Sequence, residues 1–289
     1  RSRAARPPRR GGNSAPRQFS VLCRRYAALV AADKRRLALL LLQAPLLGLL
    51  LSLVSYSANI LGEVTIFRYS QEAKPFLFSL SCAAFWLGML NAVQEICKER
   101  DILKRERLAG CGLAPYLLSK LAVLGAMCAL QSLLLLLTAR AIVGPFPANA
   151  MGISPFVGMY ATTLLSAFSA TAMGLAVSGL SPNPDRAMTL APLVLMPQIL
   201  FSGVAFGLSG FANFLSNAVN CKWSVVAYCA LADINGLPAT AESTGTTFEN
   251  VAYAATRANL FGAWGVLLFI ALACSALCAA ALQLGATEK

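Results

Sequence analysis

The feature that most constrains this chain is a succession of long apolar runs broken by short charged segments. Between Leu37 and Gly62 there is no charged residue at all. A run of that length fits the roughly 20 residues that a helix needs to cross about 30 Å of hydrocarbon. Similar runs recur along the chain, and the sequence predicts six spans at about 37–58, 75–94, 116–142, 156–180, 187–206 and 259–284. The expected fold class is all-α, a polytopic membrane protein of six transmembrane helices preceded by an amphipathic connecting helix. Composition agrees: 57% of the 289 residues are hydrophobic and 12% are charged, with a mean hydropathy of +0.65. Soluble domains carry about 25% charged residues, so an ordinary soluble enzyme and a disordered chain are both excluded.

The first 17 residues read as a basic linker rich in Arg, Pro and Gly. An Arg-rich, acid-poor start also suits a mitochondrial transit peptide. The start at Arg1 without a Met suggests a piece of a longer chain. From Gln18 the spacing of Phe19, Leu22, Tyr26, Leu29 and Val30 forms a helical stripe, with Arg24, Arg25, Lys34, Arg35 and Arg36 largely off it. Such a basic amphipathic helix rests at the headgroup level before a span, or simply extends it.

Six spans put both termini on one side. Placing that side inside assigns 19 of the 24 Lys and Arg to inner segments and five to outer ones. The positive-inside rule therefore makes the termini cytoplasmic. The stretch 207–258 is then an outer loop, and its apolar part Trp223–Leu231 is too short to span, so it is re-entrant or interfacial. Cys221 and Cys229 lie in that loop. If the segment is helical, eight residues rise about 12 Å, too far for a disulfide between them.

Several chemistries are excluded by what is missing. There is no histidine, and the nine cysteines form no CxxC pair, so no metal centre is expected. Gly207-Leu208-Ser209-Gly210 has the look of an intramembrane serine protease motif, but no His, and no Lys within a span, is expected to serve as its base. Ionisable residues near the midplane, the mark of a proton-coupled carrier, are absent. A basic tail can also bind nucleic acid. Joined to hydrophobic spans it reads as a membrane-proximal flank, and no nucleic-acid partner is expected.

The dense polar stretch 95–112 separates the second and third spans. Its sequence, EICKERDILKRERLAGCG followed by LAPYLLSK, resembles the first cytoplasmic loop of type-2 ABC exporter permeases of the G-subfamily. The residues that carry the likeness are Glu99, Arg100, Arg105, Glu106, Gly110 and Tyr116. Asp101 stands where that family often has Pro, and Cys111-Gly112 where it often has Met-Tyr. RQFSVLCRRYAALVAADKRRLALLLLQAP looks like the family's connecting helix, and LMPQILFSG like the end of its fifth span.

The resemblance implies an exporter permease that dimerises with a second copy, or a related chain, around a cavity and moves or flips hydrophobic or amphipathic molecules. ATP and Mg would be held by a separate or fused ABC ATPase domain. This chain lacks a GxxxxGK[ST] phosphate loop, and no cofactor of its own is expected. Localisation would be the bacterial inner membrane. An ATP-independent membrane scaffold is the other class considered. Glu99–Glu106 alternates acids and bases, which suits docking to another protein better than a topology anchor, which needs only cations. Glu99 and Glu106 are expected to share an exposed face with Arg100 and Arg107 beside them, so that their loss barely affects folding. By family analogy the cavity is lined by Phe78, Cys82, Phe85, Trp86 and Met89 of the second span and Leu193, Met196, Pro197 and Leu200 of the fifth. Helix or lipid packing explains the same faces.

Overall fold

The computed structural model describes residues 15–57, 67, 69–147, 149, 151–204, 208–238 and 251–287. Most of the expected linker lies outside them, and its last three residues already belong to a helix. The described residues form ten α-helices joined by turns, three of them short 3-10 turns. The first two, α1 (Ala15–Ala32) and α2 (Lys34–Ser57), meet at Asp33. Asp33 breaks the helix because its carboxylate caps the next one, accepting the Arg36 N–H at 3.1 Å. Of the stripe on α1, Leu22 and Tyr26 are buried, while Leu29 stays exposed.

The long helices follow: α3 (Ser70–Ala92), α5 (Leu113–Val143), α6 (Pro155–Leu180) and α10 (Arg257–Thr287). With α2 they are the five helical stretches long and apolar enough to cross a membrane, so the chain is an integral, multi-pass membrane protein. The helix in the place of the expected fifth span, α7 (Pro184–Leu200), has 17 residues and rises only about 25 Å. Between α3 and α5 sits the nine-residue α4 (Arg100–Leu108).

Close packing of α3 on α6 is made possible by glycine. A Cβ added at Gly88 would lie 2.0 Å from the Ala167 carbonyl oxygen, and one at Gly174 would lie 3.0 Å from the Met89 carbonyl oxygen. Without a hydrophobic drive in lipid, such close approach supplies the van der Waals contact that holds helices together. Polar side chains add to it. The amides of Asn91 and Gln131 pair at 2.5 Å, and Gln131 Nε2 donates to the Leu40 carbonyl at 2.7 Å.

The expected outer loop is not simply a loop. It contains α8 (Gly210–Ser216), with Phe211 and Phe214 exposed and stacked, and α9 (Asn220–Leu231). Ten of the twelve α9 residues are buried, packed among α3, α6 and α10. Its polar groups are satisfied inside the bundle: Asn220 with Ser166, and Thr163 with the Tyr228 hydroxyl at 2.7 Å. The nine apolar residues Trp223–Leu231 are too few to span, yet enough to fill a space between longer helices. Cys221 and Cys229 are free thiols on this one helix.

Candidate functional site

Most of the charges among the described residues gather where α1, α4 and the beginnings of α2 and α5 meet. The centre is Lys120, on the second turn of α5, with a side chain only 2% exposed. Its Nζ lies 2.8 Å from Glu99 Oε2 and 3.6 Å from Glu95 Oε2. The same ammonium sits 3.6 Å from the centre of the Tyr26 ring, a cation–π contact in a desolvated place. Glu95 also accepts the Tyr26 hydroxyl and a guanidinium N–H of Arg36. Glu99 accepts the Tyr116 hydroxyl at 3.3 Å.

The six residues come from four parts of the chain: Tyr26 from α1, Arg36 from α2, the two glutamates from the turns after α3, and Tyr116 and Lys120 from α5. Burial, reinforced by the Glu95 charge, pushes the Tyr26 phenol far above its ordinary range, so it stays a neutral donor. The turn that presents the glutamates is itself held by α6, where Ser178 Oγ accepts the N–H groups of Ile96 and Cys97 at 3.0 and 3.1 Å.

The helix α4 rests on this cluster and is tied on its inner side to three neighbours. Arg100 donates to the Gly179 carbonyl at the end of α6, at 2.7 Å, and Arg107 to the Leu282 carbonyl near the end of α10, at 2.8 Å. Gly179 lies in the last turn of α6, where carbonyls lack intrahelical donors, and the negative end of a helix dipole favours a cation near the C-terminal end of either helix. Glu106 forms a two-pronged ion pair with Arg25 of α1, the second prong at 3.2 Å. The hydrogen bond to Glu106 raises the Arg25 pKa further, against the effect of burial.

Gly110, at φ +94°, ends α4: its N–H reaches the Arg107 carbonyl, and the Cys111 N–H reaches that of Glu106. Gln18 of α1 then accepts the Gly112 N–H at 3.0 Å.

These contacts correct the expected orientation of the loop. Glu99, Arg100, Glu106 and Arg107 do not point outward as an exposed set; all four are engaged within the bundle. The outward face of α4 consists of Asp101, Ile102, Lys104, Arg105 and Leu108, with Leu108 91% exposed. The cause is local. Charges beside a bundle end find free carbonyls and opposite charges within reach, and the helical period then turns the intervening residues outward.

Of the six residues singled out from the sequence, only Arg105 is exposed on that face. Arg25, Tyr26 and Arg36 figured only in the expected amphipathic helix and Arg107 only beside the glutamates, while Glu95 and Lys120 were given no role. The signal for Lys120 was present as a cation four residues after Tyr116 inside an apolar helix. The expectation that no Lys lies buried in a span is overturned by it.

The expected substrate-lining face is also revised. Phe85 and Met89 are fully buried, packed with Ala170, Ala187 and Ala191 of α6 and α7. The Gly88 contact draws that side of α3 against α6. Phe78, Cys82 and Trp86 are half-buried, whereas Leu193, Met196, Pro197 and Leu200 are exposed along α7. Among the described residues no cluster of three or more potential ligands for a metal ion is formed.

With this geometry in place, comparison with known proteins gives a consistent result. Residues 17–233 match the family model described as ABC-2 type transporter. The chain is also similar to the ABC transporter ATP-binding/permease protein Rv1747 of Mycobacterium tuberculosis, with 23% identity over 227 residues. That alignment covers 75% of this chain and 26% of the relative, so the chain spans about a quarter of the length of that protein.

Proposed function

The chain belongs to the ABC-2 type transporter family and is a transporter permease, and from that premise we propose that ATP hydrolysis on an ABC ATPase domain drives it. The ATPase, separate or fused, would hold ATP and Mg. The relative's printed name joins an ATP-binding part to a permease, which supports such a pairing. The charge bias of the sequence supports placing the α1–α4 end in the cytoplasm, where an ATPase works.

The observation that carries the reading is the division of α4 into two faces. Its inner side is pinned to α1, α6 and α10 and rests beside the Lys120 cluster. Its outer side offers two apolar residues, Ile102 and Leu108, among Asp101, Lys104 and Arg105. Exposed apolar side chains interspersed with charges of both signs suit a protein-docking surface. A push on that surface would pass through the arginine and glutamate contacts to the ends of α6 and α10.

Export of hydrophobic or amphipathic molecules is the direction and class we propose, with two permease copies around a central path and the exposed α7 face, Leu193, Met196, Pro197 and Leu200, contributing to it. The test is the double substitution Ile102→Asp with Leu108→Asp in the assembled transporter. Substrate-stimulated ATP hydrolysis and co-purification of the ATPase should fall at least about tenfold, the loss of a docking anchor. Thermal stability should be unchanged, since both side chains are exposed. Unaltered coupled hydrolysis would refute the docking assignment, whereas a complete lack of substrate-stimulated hydrolysis in the unaltered assembly would favour a membrane scaffold.

A further inference from the structure

Helix α9 enters the bundle from the end opposite Lys120 and stops halfway. Its last residue, Leu231, lies against Gly158 near the start of α6. Its first turn is locked among the middles of other helices. Asn220 Nδ2 donates to the Ser166 carbonyl of α6 at 3.0 Å, and Ser81 Oγ of α3 donates to the Cys221 carbonyl at 3.4 Å. Gln198 of α7 accepts the Cys221 N–H at 3.2 Å. Ser81 and Ser166 stand about midway along α3 and α6, which are both long enough to span. Lys222, the next residue, is therefore at about half the depth of the membrane. The expectation that no ionisable residue lies near the midplane fails here.

A charge at that depth is costly, and it marks a partner or a water-filled path. Lys222 Nζ donates to Ser216 Oγ at 2.7 Å and to Asn217 Oδ1 at 2.9 Å, both neutral. An ammonium has three N–H donors, so one donor and the positive charge are left over. Among the described residues Lys222 enters no ion pair. A second copy of the chain supplies no described acid either. Asp33, the acids of 95–106 and Asp185 lie at the end that holds Lys120, and Glu72 and Asp233 lie at the opposite end. A copy related by an axis normal to the membrane brings these acids only to the same two levels.

The surroundings suit a ligand with two unlike parts. Lys222 is half-buried, and Asn213 and Asn217 beside it are exposed, so the turn is open on its polar side. The helix joined to the same turn through Gln198, α7, exposes Leu193, Met196 and Leu200. We propose that Lys222 receives the acidic headgroup of an amphiphilic substrate whose tail lies along α7, and so makes the permease selective for anionic amphiphiles. A cationic headgroup is repelled there. A neutral sugar finds hydrogen bonds but forgoes the charge-assisted one, which is about twice as strong. The proposal rests on the reading of this permease as a carrier of amphipathic molecules and names the substrate class within it.

The test uses the assembled transporter in nanodiscs of choline phospholipid. The probe is dodecyl phosphate with a photoactivatable diazirine on the carbon beside the headgroup, and labelled peptides are located by mass spectrometry. Residues 210–224 should be labelled, and unlabelled dodecyl phosphate should compete, whereas dodecyltrimethylammonium and dodecyl maltoside should not. Lys222→Gln should lower labelling at a subsaturating probe concentration about tenfold, the loss of one hydrogen bond to a charged group. Lys222→Arg keeps the charge and should retain most of the labelling, as should Arg186→Gln at the other end of α7. Equal competition by the cationic or the sugar amphiphile, or undiminished labelling in a folded Lys222→Gln protein, would overturn the proposal. Displacement by inorganic phosphate alone would also overturn it, because it would mean a site for a free anion. Binding is read without ATP, so the two readings fail separately. Selective labelling without ATP-dependent release of dodecyl phosphate from vesicles supports the site and sinks only the export reading. Release of all three amphiphiles alike, with labelling indifferent to Lys222, sinks only the site.

Discussion

Replacing Lys120 by Met is the most demanding trial of the site described above. Methionine keeps an unbranched side chain of similar length but removes the ammonium from a place where the Lys120 side chain is 2% exposed. Glu95 and Glu99, with side chains 5% and 20% exposed, would then face each other without the cation between them. Removing one partner of a buried pair costs about 3–5 kcal/mol, because the remaining charge is left uncompensated. Glu95 retains Arg36 and Tyr26, and Glu99 retains Tyr116 and some solvent, so the lower end, about 3 kcal/mol, is expected here. At roughly 2–4 °C per kcal/mol for a chain of this size, the apparent melting temperature in nanodiscs should fall by roughly 6–12 °C.

The double variant Lys120→Met with Glu99→Gln removes both the cation and the more exposed of its two anions. It should be more stable than Lys120→Met alone, a departure from additivity that only direct contact produces. A fall below roughly 2 °C, or strict additivity in the cycle, would refute the reading of this cluster as a buried charge centre. The same logic applies to Glu99. Its loss will not be silent, as it would be for an exposed loop charge, because it leaves Lys120 with one fewer partner.

Three further outcomes follow from particular contacts. Gly88→Ala places a methyl carbon against the Ala167 backbone, where no side chain can move aside, and should cost about 1–3 kcal/mol or block assembly, read from the melting temperature and the monodisperse yield. Reversing the Arg25–Glu106 pair should show partial rescue. Arg25→Glu and Glu106→Arg each weaken protection of α1 in hydrogen exchange, and the double reversal restores it, by no more than about 1 kcal/mol since Arg25 is 44% exposed. Arg107→Ala deletes the bond to the Leu282 carbonyl, and the end of α10 should exchange roughly tenfold faster, while the opposite end of that helix is unaffected.

What the sequence determined by itself was the class of object and its linear order. Uncharged runs such as Leu37–Gly62 can satisfy their backbone in lipid only as helices, so the all-helical membrane fold follows from the sequence without any partner residue being known. The alternating charges at 98–107 likewise marked where the chain leaves the apolar layer, and Gly110 marked where α4 stops, because a positive φ there is cheap only for glycine.

The direction in which each side chain points was decided by tertiary structure. Glu99 and Glu106, seven apart, do look alike along the helical period. One turns to a lysine of α5, and the other to an arginine of α1. Phe85 and Met89 share a face with Phe78, yet they are buried because Gly88 brings α6 within contact of that side. Periodicity records which residues share a face. It carries no record of what packs against that face, since the neighbour is supplied by a distant stretch of chain, and burial and charge pairing depend on that neighbour.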